Sequence, residues 1–250
     1  MKTGHFDLLG LRIDPVSLKD LTDILDESVR ANRTTLVVTL NAETAYLAWR
    51  DPGFAGIVNR ASLVIPDGAG ITWALRYKYG VQAPRLPGID ILTALANSRR
   101  GAWRFYFLGG REGAAQKAAE NLFGPESPAC ARTHHGYFSP QEEAGILAGI
   151  RAFQPHCLAV GLGAPAQEVW LANRKDQLNV PVLIGVGGAF DCLSGLKARA
   201  PEWMRKAGLE WLSRVWREPS RWPRVIHMFR FCLLVLGEGK KHGKNNRHFY

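Results

Sequence analysis

The chain is 250 residues long, 46% apolar and 22% charged, with a formal net charge of +10. That length holds one large domain, or a domain and an appendage, around a substantial core. No segment approaches the roughly 20 apolar residues that span a bilayer, and the first residues carry no apolar signal region. The four cysteines (Cys130, Cys157, Cys192 and Cys232) form no C-x-x-C pair, which argues against a disulfide framework or a cysteine metal site and for the reducing cytoplasm.

Residues 16–32 place Leu18, Leu21, Ile24, Leu25 and Val29 at a helical period, with Ser17 as a candidate cap. Residues 34–40 (TTLVVTL) are β-branched and continuously apolar, as a parallel strand buried on both faces requires. Residues 42–49 turn helical, so Thr39 and Asn41 stand at the strand's carboxyl edge. Asn41 reads there as a helix N-cap, a ligand contact or both. The next apolar run, 62–65, stops on Pro66-Asp67-Gly68. Ligands of α/β proteins gather outside the carboxyl ends of strands, so Asp67 occupies the place of a catalytic acid or base, although Asp-Gly is also a favourable turn pair. A helix over 71–79 leads to a proline-bracketed loop, 84–90, and a helix over 91–100. Within that loop Arg85 reads as an anion contact or as a solvated arginine.

Residues 103–108 (WRFYFL) predict a strand that runs into Gly109 and Gly110 and then an alanine-rich helix. Backbone N–H groups and a helix N-terminus in that order can hold phosphate, but the run is neither the G-x-G-x-x-G fingerprint nor a P-loop. The His134-His135 pair has no acidic or cysteine partner nearby and does not read as a metal site. Tyr137 or Phe138 offers a ring for stacking on a base, and Ser139 with Glu142 makes a capping box for the next helix. A strand over 156–163 puts Gln167 and Glu168 in the first turn of its helix, and the run 181–188 ends similarly on Ala189-Phe190-Asp191.

Five such runs with helices between them predict an α/β, Rossmann-like, mostly parallel sheet with flanking helices. Its mouth gathers Thr39, Asn41, Asp67, Gly109, Gly110, Gln167, Glu168 and Asp191. No two aspartates are separated by one residue, so the D-x-D pattern for a divalent metal is missing. Phosphate charge would fall to N–H groups and arginines. Residues 197–250 hold 13 Lys and Arg against four Glu, nine of the ten net positive charges, and four of the eight Trp. A boundary near Gly195 therefore separates an α/β core, 1–196, from a basic helical appendage, 197–250, suited to a phosphate-rich surface. Arg214, Arg217, Arg221 and Arg224 are spaced to align on one helix face, beside an apolar stripe of Trp222, Val225, Phe229, Leu233 and Leu236. Pro219 and Pro223 are positioned to break that helix.

The motifs Thr39-x-Asn41, Ile65-Pro66-Asp67-Gly68, Arg85-x-Pro87-Gly88-x-Asp90, Leu108-Gly109-Gly110, Gly136-Tyr137-Phe138, Gly161-x-Gly163-x-Pro165-x-Gln167-Glu168, Gly185-Val186-Gly187-Gly188-Ala189-Phe190-Asp191, Gly195, Arg199-Ala200-Pro201 and Glu210-Trp211 occur in this order. Together they resemble the WecG/TagA/CpsF family of bacterial glycosyltransferases over nearly the whole chain. One departure is Ala166, where the family pattern has lysine before Gln-Glu. The resemblance implies an inverting, metal-independent and cofactor-free transfer of a sugar from a UDP donor to a polyprenyl-diphosphate-linked sugar. It places the enzyme peripherally on the inner face of the cell membrane, attached through its tail, in assembly of teichoic acid, exopolysaccharide or another envelope glycan. It gives Asp67 the role of base and Thr39, Asn41 and Gln167 the positioning of sugars. Arg85, Arg214, Arg221 and Arg224 would neutralise the departing diphosphate. N-acetylmannosamine, its uronic acid and glucose all stay open as the transferred sugar, and the oligomeric state stays open between monomer and homo-oligomer. A nucleic-acid-binding protein would account for the basic tail but not for the polar strand ends, and a nicotinamide oxidoreductase lacks its fingerprint.

Overall fold

The computed structural model describes residues 4–124, 127–217 and 222–239, and the apolar runs of the sequence become strands buried on both faces. In chain order, β1 (Phe6–Leu8) and β2 (Leu11–Ile13) form an antiparallel hairpin, followed by α1 (Leu18–Arg30), β3 (Thr35–Leu40), α2 (Ala42–Arg50), α3 (Pro52–Asn59), β4 (Leu63–Pro66), α4 (Ala69–Tyr79) and α5 (Gly88–Ser98). Next come β5 (Phe105–Gly109), α6 (Ala114–Phe123), α7 (Ser127–Cys130), β6 (Ala131–His134), α8 (Pro140–Phe153), β7 (Cys157–Gly161), α9 (Ala166–Leu178), β8 (Val182–Gly185) and α10 (Ala189–Leu193). The tail adds α11 (Glu202–Lys206), α12 (Glu210–Arg217) and α13 (Trp222–Glu238).

Six strands form one parallel sheet in the order β4-β3-β8-β7-β5-β6, flanked by helices. This is the α/β architecture expected, with one more strand than the five apolar runs suggested. The extra strand, β6, is the short sequence Ala-Arg-Thr-His at the sheet edge, where only one neighbour has to be satisfied and polar residues are tolerated. Helix α5 begins at Gly88 rather than 91, because Pro87 takes the N-cap position and Asp90 then falls in the first turn, where the helix dipole favours a carboxylate. The aligned arginines do not share a helix: Arg214 lies on α12 and Arg224 on α13, while Arg221 is outside the described residues.

The chain divides into two compact units, one drawn from residues 1–17, 39–86 and 199–250 and the other from 18–38 and 87–198. In the second unit the core is aromatic. Phe105 packs on Phe123 at 5.3 Å and Phe107 on Phe190 at 5.2 Å between ring centroids, and all four rings are fully buried. Phe190 is thereby anchored, and with it the neighbouring Asp191 at the start of α10. In the first unit Asp14, fully buried, organises the approach to β4. Its backbone N–H donates to Val64 O at 2.7 Å. Its Oδ2 accepts from Val64 N and its Oδ1 from Arg12 Nε, both at 2.9 Å. Helix α13 buries Val225, Phe231 and Val235, and its last turn is tied to α4 by an ion pair between Glu238 and Lys78, whose side chain is 1% exposed.

Replacing Asp14 by Ala strands the Val64 N–H and deletes a charge-assisted bond. We expect a loss of roughly 2–3 kcal/mol, read as a lower urea midpoint at unchanged m-value.

Candidate active site

At the carboxyl ends of β3 and β4 the backbones close on each other. Asp67 N donates to Leu40 O at 2.9 Å, and Leu86 N donates to Pro66 O at 2.8 Å, which holds the Arg85 loop beside the end of β4. A Cβ on Gly68 would lie 3.1 Å from Asn41 Cβ, and one on Gly70 would lie 2.8 Å from Ala42 Cβ, so side chains at either position would push the two turns apart. Asn41 caps α2, its Oδ1 accepting from Thr44 N at 3.0 Å. These turns form one wall of a cavity of about 160 Å³ in the first unit, lined by Asn41, Glu43, Asp67 and Arg85. Glu210 and Trp211 of α12 and Arg224, Val225 and Met228 of α13 complete it.

The cavity thus brings together Asn41, Asp67, Arg85 and Arg224 from among the residues singled out in the sequence. Asp67 is half-buried at its wall. Thr39 is buried within β3 and outside the lining. The side chain of Arg214 and all of Arg221 lie outside the described residues. Two acids that were not among the candidate site residues line the same space. Glu43 Oε1 lies 3.5 Å from Arg224 Nε, and Glu210 Oε2 lies 3.7 Å from Arg85 Nη1. Both stand in the first turn of a helix, where an acid is explained by the helix dipole and attracts no further notice. For Glu210 the signal was its place beside Trp211 among the family motifs.

In the second unit the strand ends gather Gly109, Gly110, Gln167, Glu168 and Asp191. The glycines serve close packing: a Cβ on Gly109, whose φ is +137°, would lie 2.5 Å from the backbone of Gly161. Gly110 N donates to Gly161 O and Gly110 O accepts from Gly136 N, so this N–H is spent within the protein. Gln167 is a buried strut. Its Nε2 donates to Glu168 Oε1 at 2.7 Å and its Oε1 accepts from Gly187 N at 2.9 Å. Tyr137 stands on an open loop, 77% exposed. Asp191 Oδ2 pairs with Lys197 Nζ at 2.7 Å, while its buried Oδ1 has no hydrogen-bond partner among the described residues. Ala166, at the first position of α9, leaves this unit without the lysine of the family pattern there.

Similarity decides the family. The profile of the glycosyl transferase WecG/TagA/CpsF family matches residues 6–245. The chain belongs to this family of glycosyl transferases. It is 27% identical over 237 residues to proteins of Staphylococcus aureus strains NCTC 8325 / PS 47 and COL, a span of 92% of this chain and 93% of theirs. Both are named N-acetylglucosaminyldiphosphoundecaprenol N-acetyl-beta-D-mannosaminyltransferase. The protein of strain MRSA252 is similar at the same identity and coverage and has the same name. Asp67, Arg85, Glu210 and Trp211, which carried the resemblance in the sequence, line one cavity. Among the described residues no three His, Cys, Asp or Glu side chains cluster as metal ligands would, and no helix is long and apolar enough to cross a membrane.

Burial raises the Glu168 carboxyl from 4.5 to about 7, against the smaller opposing effect of the Gln167 hydrogen bond. The native chain therefore holds a proton that the unfolded chain has released between those two values, and stability falls as pH climbs through that window. The contribution is roughly 3 kcal/mol. Urea unfolding of Glu168→Gln should show the variant gaining on the parent chain between pH 4.5 and pH 7.

Proposed function

We propose that this chain is an inverting, metal-independent glycosyltransferase that moves a sugar from a UDP donor to a polyprenyl-diphosphate-linked sugar. The relatives' names favour N-acetylmannosamine as the sugar and an N-acetylglucosaminyl diphospholipid as its acceptor. The observation that carries the reading is one cavity in which the Asp67 carboxylate stands with the guanidinium groups of Arg85 and Arg224. In a single displacement the acceptor hydroxyl loses its proton to Asp67, its oxygen bonds to the anomeric carbon, and the bond from that carbon to the diphosphate breaks. The electron pair leaves with UDP, and inversion follows from attack opposite the leaving group. Arg85 and Arg224, with Arg214 and Arg221 of the tail, meet the charge that develops on the diphosphate. Asn41 caps α2 through Oδ1, so its contact to a sugar hydroxyl comes from Nδ2. Asp191 Oδ1 offers an acceptor to a ligand N–H.

The decisive assay is UDP release from a panel of UDP-sugars in the presence of chelator, with and without a detergent-dispersed polyprenyl-diphosphate sugar. Release from one donor that depends on the acceptor establishes donor class, acceptor class and metal independence together. Silence across the panel with folded protein refutes the reading. In the same assay Asp67→Asn should lower kcat by about 10²- to 10⁴-fold with donor binding retained, the usual worth of a general base. Full turnover in that variant removes Asp67 from the role.

The tail supplies the means of reaching a lipid-linked acceptor from the cytoplasmic face. Of the expected apolar stripe, Val225 turns inward, while Trp222, Phe229, Leu233 and Leu236 face outward, between 46% and 67% exposed, joined by Ile226. Such a face beside basic residues favours peripheral attachment to an anionic bilayer. A Phe229→Ser, Leu233→Ser double variant should bind anionic vesicles about tenfold or more weakly in flotation, since each side chain buried in the interface is worth ~1.5–3 kcal/mol. Unchanged flotation would place the membrane contact elsewhere.

A further inference from the structure

Helices α2 and α13 are joined by a ladder of side chains that starts at the candidate active site. Glu43, Tyr46 and Trp49 recur every three residues, which places them along one face of α2. Glu43 meets Arg224. Tyr46 packs its ring against His227 at 5.0 Å between centroids, and its Oη accepts from Arg230 Nη1 at 3.3 Å. Trp49 stacks on Tyr46 at 6.1 Å. The partners on α13 advance with those on α2, so the two helices run side by side in the same direction. Beyond the first cavity this pair lines a second of about 540 Å³, more than three times the volume of the first. Its walls include Leu9 of the β1–β2 turn, Tyr46, Trp49, Arg230, Leu233 and Leu234. From Arg224 to Arg230 the helix rises ~9 Å, a step that a sugar and its diphosphate can bridge.

The second cavity has two characters. Leu9, Trp49, Leu233 and Leu234 offer apolar surface, with Trp49 47% and Leu233 67% exposed. Arg230, exposed and donating to a neutral phenol, brings a guanidinium to the end nearer the active site. Glu238 also lines the cavity, and Lys78 matches its charge. Leu233 belongs at once to this cavity and to the outward apolar stripe of α13. An apolar trough with a cation at one end complements a hydrocarbon chain with an anionic head, and Tyr and Trp suit a boundary that is apolar on one side and wet on the other. Resting on the reading of this chain as a transferase to a polyprenyl-diphosphate-linked sugar, we propose that the second cavity is the seat of the acceptor's lipid. The first isoprene units lie against Trp49, Leu233 and Leu234, Arg230 holds the acceptor diphosphate, and the sugar reaches Asp67. Arg85 and Arg224 remain with the donor. The lipid contacts are made equally in ground and transition states, so they lower the acceptor KM and leave kcat alone.

The test is titration calorimetry of farnesyl diphosphate, a short isoprenoid with the same head, into the full chain in the absence of membranes. Trp49→Ala and Arg230→Gln variants are titrated alongside, each checked for folding by its melting temperature. Each variant should bind farnesyl diphosphate about tenfold or more weakly, through lost apolar contact in the first and a lost charge-assisted contact in the second. Inorganic diphosphate should respond to Arg230→Gln alone, and UDP affinity to neither. In turnover both variants should raise the KM for the lipid-linked acceptor with the donor KM unchanged. Farnesyl diphosphate that does not bind the full chain, or binds either variant as well as the parent, overturns the site; UDP release that still depends on acceptor then leaves the transferase reading standing. Release that depends on no lipid-linked sugar removes that reading, and the acceptor site with it. Equal binding of lysophosphatidylglycerol, lost in the same variants, would make the cavity a seat for membrane phospholipid. A fall in sedimenting mass on Trp49→Ala would make it a seat for a second copy of the chain. Either result overturns the proposal. Should Trp49→Ala not fold, Leu233→Ser at its exposed position takes its place, and unchanged affinity for farnesyl diphosphate there overturns the proposal equally.

Discussion

Everything proposed for the cavity depends on how closely two chain turns can approach. The hydrogen bond from Asp67 N to Leu40 O sets the separation, and the missing Cβ atoms at Gly68 and Gly70 permit it. With the turns in register, Asp67 and the capped Asn41 line one wall. The bond from Leu86 N to Pro66 O then delivers Arg85 without any helix to carry it. The chemistry needs a carboxylate and a guanidinium in one small space, and the backbone provides this through two amide hydrogen bonds and two glycines. The buried carboxylate of Asp14, accepting from Val64 N, steadies β4 from its far side.

The two units use their glycines and polar residues differently. In the first, close approach opens a cavity lined by charge. In the second, Gly109 and Gly161 interlock and Gln167 ties α9 to the loop after β8, so residues that look like ligand contacts are consumed in holding strand ends together. Glu168 is drawn into that structure at the expense of its charge. Asp191 differs from them, since packing of Phe190 on Phe107 fixes it and one oxygen is left unfilled.

How much was legible in the sequence follows from what each residue answers to. The strand Thr35–Leu40 was legible because burial on both faces leaves an unbroken apolar run, and the caps at Asn41 and Ser139 were legible because their partners lie three residues away. The hairpin of β1 and β2 was not, since its strands are three residues long and its turn uses Leu9 in the left-handed region, φ 56°, where leucine gives no signal. Helix α3 was available in principle through Asp51-Pro52, a side-chain cap followed by proline at the first position. In the cavity, Asp67 and Arg85 could be found from a strand end and a proline bracket. Glu43 could not be, because its meaning comes from an arginine about 180 positions away that only the folded chain brings near, and Glu210 showed only as half of a family motif, its neighbour Arg85 lying about 125 positions away. The arginine spacing failed as a single face for a plain reason: periodicity counts residues and does not register where one helix gives way to another.

The ion pair between Lys78 and Glu238 joins the end of α13 to α4. An ammonium group with 1% of its side chain exposed has almost no water to turn to, and its charge is balanced by a residue in the last turn of the last helix. A chain clipped before Glu238 would leave that ammonium buried within α4 and unmatched, so the body of the first unit and its tail share one fate in proteolysis. Loss of the final turn of α13 would register as unfolding of the part that remains, and this helix is therefore a structural member of the unit that carries Asp67 as well as its outer surface.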